Sequence, residues 1–169
     1  MKYNQEGNTV AFPKLSTTTL GTPEEEVSGV LPGVVLLIPA FRPGKELLDV
    51  IGAVAGRGFD AIVLVDDGSG LDFRWIFDEA REVPGVRVIR HAVNLGKGAA
   101  LKTGLNFAMV EYPDSSGVVT ADADGQHDPN DICNVARRFQ HAKQALVLGA
   151  RGFSGSVPLR SRVGNSVTR

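Results

Sequence analysis

Two carboxylates one residue apart, Asp122 and Asp124, stand at the end of an apolar run in "VTADADGQHDP". In an extended segment, residues i and i+2 point to the same side, so both can face one ligand. Like charges that close repel unless a cation or a shared proton relieves them. A hard divalent ion such as Mg2+ or Mn2+ suits oxygen ligands and needs only one or two carboxylates when a substrate's phosphates supply the rest. Gln126 continues the alternation and could add an amide oxygen. The plain alternative is a polar loop closed by an Asx-turn. Two other stretches could do chemistry. Asp66-Asp67-Gly68-Ser69 reads either as a turn or as a carboxylate accepting from a nucleobase N–H or ribose hydroxyl. Asn94-Leu95-Gly96-Lys97-Gly98 lets backbone approach an anion at a helix start, with Lys97 adding charge. His91 and His127 are most simply loop histidines, and His127 receives no role despite its closeness to the acids.

The elements that position these groups alternate regularly. Val34 to Ile38 is a continuous apolar run of strand length, ended by Pro39. Leu47, Leu48, Ile51 and Val54 follow at helical spacing, and Gly56 and Gly58 close that helix. Ala61 to Val65 is a second strand, and Phe73, Ile76, Phe77 and Ala80 mark a second helix. Val86 to Ile89 is a third strand, before a helix carrying Ala100, Leu101, Gly104, Leu105 and Ala108. Val118 to Ala121 is a fourth strand. Asp128 is a good N-cap with Pro129 at the first helical position. Ile132, Val135, Ala136 and Phe139 line that helix, with Cys133 beside them as a packing residue. Ala145 to Leu148 is a fifth strand. Five strand–helix alternations predict an α/β fold with a mostly parallel sheet. Ligands of such sheets bind beyond the carboxyl ends of the strands, where Pro39-Ala40, Asp66-Asp67, Asp122, Asp124 and Arg151 all fall.

Composition narrows the classes. The 169 residues suit one domain with a real core, at 43% apolar and 22% charged, with a formal net charge of −1. That balance argues against nucleic-acid binding through bulk positive charge. One cysteine, Cys133, makes no internal disulfide, and no Cys/His cluster suggests zinc. The N-terminal MKYNQEGNTV lacks the apolar centre of a signal peptide, and no run is long enough to cross a bilayer. A cytoplasmic setting fits. Residues 1–30 read as a poorly ordered polar tail and 31–169 as the folded domain. No acidic residue follows Asp131, while seven Lys and Arg do, from Arg137 to Arg169. That asymmetry reads as a solvated basic face or as a surface for phosphate or anionic lipid.

"LIPAF", "VLVDDGSG", "NLGKGAALKTGL" and "ADADGQHDP" stand in the order seen in family 2 glycosyltransferases, and the chain resembles that family over residues 34–165. "LGARGF" and "PLRSRVGN" resemble the acceptor side of its polyprenyl-phosphate group, the dolichyl-phosphate mannose and glucose synthases and their undecaprenyl-phosphate relatives. The resemblance implies a GT-A fold, a Rossmann-like three-layer α/β/α sandwich that binds a UDP- or GDP-sugar. It implies metal-dependent, inverting transfer to a polyprenyl phosphate at the cytoplasmic face of a membrane. Asp122 and Asp124 would carry catalysis and hold Mg2+ or Mn2+ with Gln126. Pro39, Ala40, Asp66, Asp67, Lys97 and Asp122 would bind the donor nucleotide, and Arg151 and Arg162 the acceptor phosphate. Two departures stand out: Arg42-Pro43 replaces the Asn-Glu of many members, and the chain stops at Arg169 where members continue, as a truncated domain would. A non-catalytic nucleotide-sugar-binding module is an alternative. So is a haloacid-dehalogenase-type phosphotransferase with Asp122 as nucleophile, although no later Asp-Asp pair exists.

Overall fold

The computed structural model describes residues 33–141. The tail, the fifth strand at Ala145 to Leu148, Arg151 and Arg162 lie outside the described residues. Four strands and four helices alternate: β1 (Val34–Ala40), α1 (Glu46–Val54), β2 (Ala61–Asp66), α2 (Arg74–Arg81), β3 (Val86–Arg90), α3 (Lys97–Glu111), β4 (Gly117–Thr120) and α4 (Pro129–His141). The strands form one parallel sheet in the order β3-β2-β1-β4. Every residue of β1 and β2 is buried, as their unbroken apolar runs require of strands covered on both faces. Each fully buried Val, Leu or Ile there contributes roughly 1.5–3 kcal/mol.

The alternating faces of β1 sort the helices into layers. Val34, Leu36, Ile38 and Ala40 share one core cluster with α1, α2 and α4, whereas Val35 and Leu37 share another with α3. A right-handed crossover dictates that arrangement. The chain steps from β1 through β2 to β3 with its helices on one face. It then returns past β1 to β4 and must cross by the other. The three-layer Rossmann-like sandwich expected from the sequence is present. The direction of winding reverses between β1 and β4, and in open parallel sheets that switch point opens a crevice at the strands' carboxyl ends.

The end of β1 and the buried face of α3 depart from the sequence reading, each for a physical reason. Pro39 lies inside β1 rather than ending it. The Leu37 carbonyl accepts the Ala121 N–H on the β4 side, so by alternation residue 39 also faces that side. β4 pairs with β1 only as far as Leu37 opposite Thr120, so the missing proline N–H costs no ladder bond. The stripe of α3 also differs. Ala100, Gly104 and Ala108 are buried while Leu105 is 39% exposed. Small residues at i, i+4 and i+8 let α3 press on the sheet, and a Cβ on Gly104 would run into the Leu37 side chain. Leu105 is off that line. Cys133 is fully buried in the core, as its place beside the α4 stripe predicts; burial pushes its thiol pKa up, against the opposing pull of Arg57 and Arg137. No helix among the described residues is long and apolar enough to cross a membrane.

Candidate active site

A cleft of about 540 Å3 opens at the switch point, a volume typical of small-molecule sites. Its walls come from the end of β1 and the loop after it, the start of α1, the loop into α3, and the turn after β4. Of the residues singled out from sequence, Pro39, Ala40, Asp67, Lys97, Asp122 and Asp124 line it together. Asp66 and Gln126 do not, and Arg151 and Arg162 fall outside the described residues. Convergence at one sheet edge was legible in the sequence; the hydrogen-bond partners of each acid were not.

The Asp66-Asp67 pair is built into the frame. Ala40, Asp66 and Arg90 are in register across the carboxyl ends of β1, β2 and β3. Asp66, 1% exposed, accepts a 2.7 Å bond from Arg90 Nε at Oδ2 and a 2.8 Å bond from the Ser69 N–H at Oδ1. Asp67, 2% exposed, accepts from the Leu95 N–H at 2.9 Å and the Gly96 N–H at 2.8 Å. Its Oδ1 also lies 2.8 Å from His91 Nδ1, whose ring meets Thr103 Oγ1 at 2.9 Å through Nε2. Burial pushes the Asp67 pKa up, but the Leu95 N–H, the His91 ring and the Gly96 N–H outweigh it and hold the carboxyl below its ordinary value of 3.8. Asp67 thereby ties β2 to the loop that starts α3. Gly68, at φ 70°, packs against the same loop; a Cβ there would collide with Val93 and Asn94 backbone.

The Asp122-x-Asp124 pair is open by contrast. Strand β4 ends at Thr120, and residues 123–125 form a turn rather than the extended segment expected. Asp124 Oδ1 accepts the Gln126 N–H at 3.0 Å, an Asx-type closure, and Gly125 sits at φ 70°. Both carboxylates still reach the cleft, brought there by the turn rather than by strand alternation. His127 has a role that the sequence reading did not give it: its Nδ1 accepts the Asp122 N–H at 3.1 Å and pins the turn. Asp128 caps α4 as expected, accepting the Asn130 N–H at 2.7 Å. Lys97, the first residue of α3, reaches across to Asp122, Nζ to Oδ1 at 2.5 Å.

Three further wall residues carried no site role in the sequence, Asn94 standing only within the Asn94–Gly98 stretch. Glu46 is an exposed first-turn acid of α1, a pattern shared with any solvated helix start. Asn94 accepts the Gly96 N–H at 2.9 Å. Arg42 adopts φ 49°, uncommon for a side chain of its size, with its N–H held by Ser69 Oγ at 2.9 Å and its guanidinium 5.0 Å from the Phe41 ring centroid. Only its departure from the common Asn-Glu pattern signalled it.

The cleft thus places acids, a lysine and a helix N-terminus at the crevice of a Rossmann-like sheet, as a nucleotide-binding domain would. The family model described as "Glycosyl transferase family 2" matches residues 35–166. The chain belongs to glycosyl transferase family 2. Among curated family relatives it is 32% identical over 149 residues to the UDP-N-acetylglucosamine–dolichyl-phosphate N-acetylglucosaminyltransferase of Methanococcus voltae, covering 78% of this chain and 59% of that one. An uncharacterized protein of Methanocaldococcus jannaschii is 32% identical over 139 residues, covering 78% and 54%. A second from the same organism is 30% identical over 134 residues, covering 78% and 57%. The chain therefore spans between half and three-fifths of the length of these relatives.

Whether the site suits a divalent ion follows from its donor set. Among the described residues no three His, Cys, Asp or Glu side chains group as a metal cage. Two carboxylates in an open cleft fit a hard cation that takes its remaining ligands from water and a bound diphosphate.

Proposed function

We propose that this chain carries the donor site of a glycosyltransferase that moves a sugar from a nucleoside-diphosphate sugar to a polyprenyl phosphate. The observation that carries the reading is the meeting of Asp122, Asp124 and Lys97 in one cleft at the switch point. The activity in the name of the Methanococcus voltae relative supports a UDP-sugar, UDP-N-acetylglucosamine first, and a dolichyl-type acceptor.

In this reading Asp122 and Asp124 would hold a divalent Mg2+ or Mn2+; Gln126, in phase only if the segment were extended, does not line the cleft. When bound, the ion supplies positive charge to the departing nucleoside diphosphate. The chain's own groups do the rest. The start of α3 has Gly96 at its N-cap and no acid in its own first turn, and its macrodipole favours diphosphate oxygens there. Asp67 holds that start in place through the Leu95 and Gly96 N–H groups. Pro39 and Ala40 form the floor against which the nucleoside packs. The acceptor's phosphate is ionised near neutral pH, so no strong general base is required of the chain. Arg151 and Arg162 would orient it through forked hydrogen bonds, with the acid-free C-terminal segment facing the anionic lipid at the cytoplasmic membrane surface.

The test is calorimetric titration of the wild-type chain with UDP and GDP, with Mn2+ and with chelator. UDP binding at least tenfold tighter with Mn2+ supports the reading. Equal affinity with and without the ion removes the metal from it.

A further inference from the structure

We infer that Lys97 is a built-in counter-cation of the acid pair. It pairs with Asp122, yields that carboxylate to an arriving divalent ion, and moves to the diphosphate that accompanies the ion. The inference rests on the metal reading above and assigns a role to a residue of this chain.

Four observations carry it. The Lys97 ammonium lies 2.5 Å from Asp122 Oδ1, one of the two oxygens of the carboxylate that a cation would compete for. Both side chains are partly solvated, 61% and 40% exposed, so the contact can exchange. Helix physics alone does not ask for a cation there: Lys97 is the first residue of α3, where the macrodipole disfavours positive charge, and the carboxylates near it come from other elements, Asp67 on the Gly96 N–H and Asp122 on Lys97 itself. The longer and more flexible side chain is also the lysine's: Lys97 extends on a four-carbon stem, whereas the Asp122 backbone N–H is held by His127 Nδ1 and Asp124 Oδ1 accepts the Gln126 N–H. A carboxylate pair that a lysine part-neutralises stays poised in the free protein without a tightly held ion. The ammonium released when the ion binds lies at the same wall of the cleft as the α3 N-terminus, where a diphosphate would add negative charge.

A plain surface ion pair tying α3 to the turn after β4 would share the geometry but not the consequences. Mn2+ binding is measured by electron paramagnetic resonance for wild type, Lys97→Met and Lys97→Arg without nucleotide, then UDP binding by calorimetry at saturating Mn2+. Removing the counter-cation makes Lys97→Met bind Mn2+ alone roughly two- to fivefold tighter, the range that an exposed ion pair is worth. The same variant binds UDP in saturating Mn2+ roughly fivefold or more weakly, for want of a charge-assisted contact. Lys97→Arg keeps Mn2+ affinity near wild type. Unchanged or weaker Mn2+ binding by Lys97→Met, with Mn2+-dependent UDP binding intact in wild type, overturns the counter-cation role and leaves the metal reading standing. Tighter Mn2+ binding with undiminished UDP affinity overturns the transfer to the diphosphate. Absence of any Mn2+ effect on UDP binding in wild type overturns both.

Discussion

Two acid pairs stand at the carboxyl edge of the same sheet and have opposite fates. Asp66 and Asp67, adjacent in sequence, are 1% and 2% exposed and meet backbone N–H groups, an arginine and a histidine. Asp122 and Asp124, one residue apart, sit in a turn, meet one backbone N–H and one exchangeable lysine, and face the cleft. The difference lies in what surrounds each strand end. Strand β2 is flanked by β1 and β3 to its last residue, so acids there are enclosed and bonded on both sides. Strand β4 stops opposite Leu37, three residues before β1 ends, so the acids that follow it project into open space. The enclosed pair is bonded into the frame, and the open pair is left facing the cleft.

Breaking the enclosed pair has the largest effect on stability. Asp67→Ala leaves the Leu95 and Gly96 N–H groups and His91 without their acceptor, and is expected to cost about 3 kcal/mol in urea unfolding. A cost near zero would place Asp67 with the open pair. A smaller effect is the response to acid. The Asp67 pKa is held below its unfolded value, so its contribution is present above that value and is lost as pH falls through the folded one. Wild type should therefore lose stability below about pH 4 more steeply than Asp67→Asn. Matching slopes would mean that the hydrogen bonds to Asp67 do not favour its charged form. The smallest effect is on the other side of the comparison. Asp124→Asn keeps an oxygen acceptor for the Gln126 N–H and should shift the unfolding free energy by no more than about 0.5 kcal/mol.

The strands and helices were legible because apolar periodicity is a local signal. Val34 to Ile38 and Ala61 to Val65 are unbroken and buried, and the Ile132, Ala136 stripe packs as spaced. Placement of the site at the strand ends followed from topology alone. What the sequence hid was partnership. The groups that occupy Asp67 lie 24 to 29 residues away, and no spacing rule names them. The turn at Asp124 was hidden because an Asp–Gly stretch after a strand fits extended and turned backbone equally. His127 escaped for the same reason: a ring that accepts one backbone N–H five residues back leaves no mark on the pattern. Arg42 was flagged only as a departure, and its left-handed backbone is set by Ser69, 27 residues on.

The open pair's role as ligand is the central claim, and the variant expected to leave stability unchanged tests it most directly. Calorimetric titration of Asp124→Asn with UDP at saturating Mn2+ should give an affinity at least tenfold below wild type, about 1.4 kcal/mol, at an unaltered melting midpoint. Wild-type affinity in that variant would contradict the account.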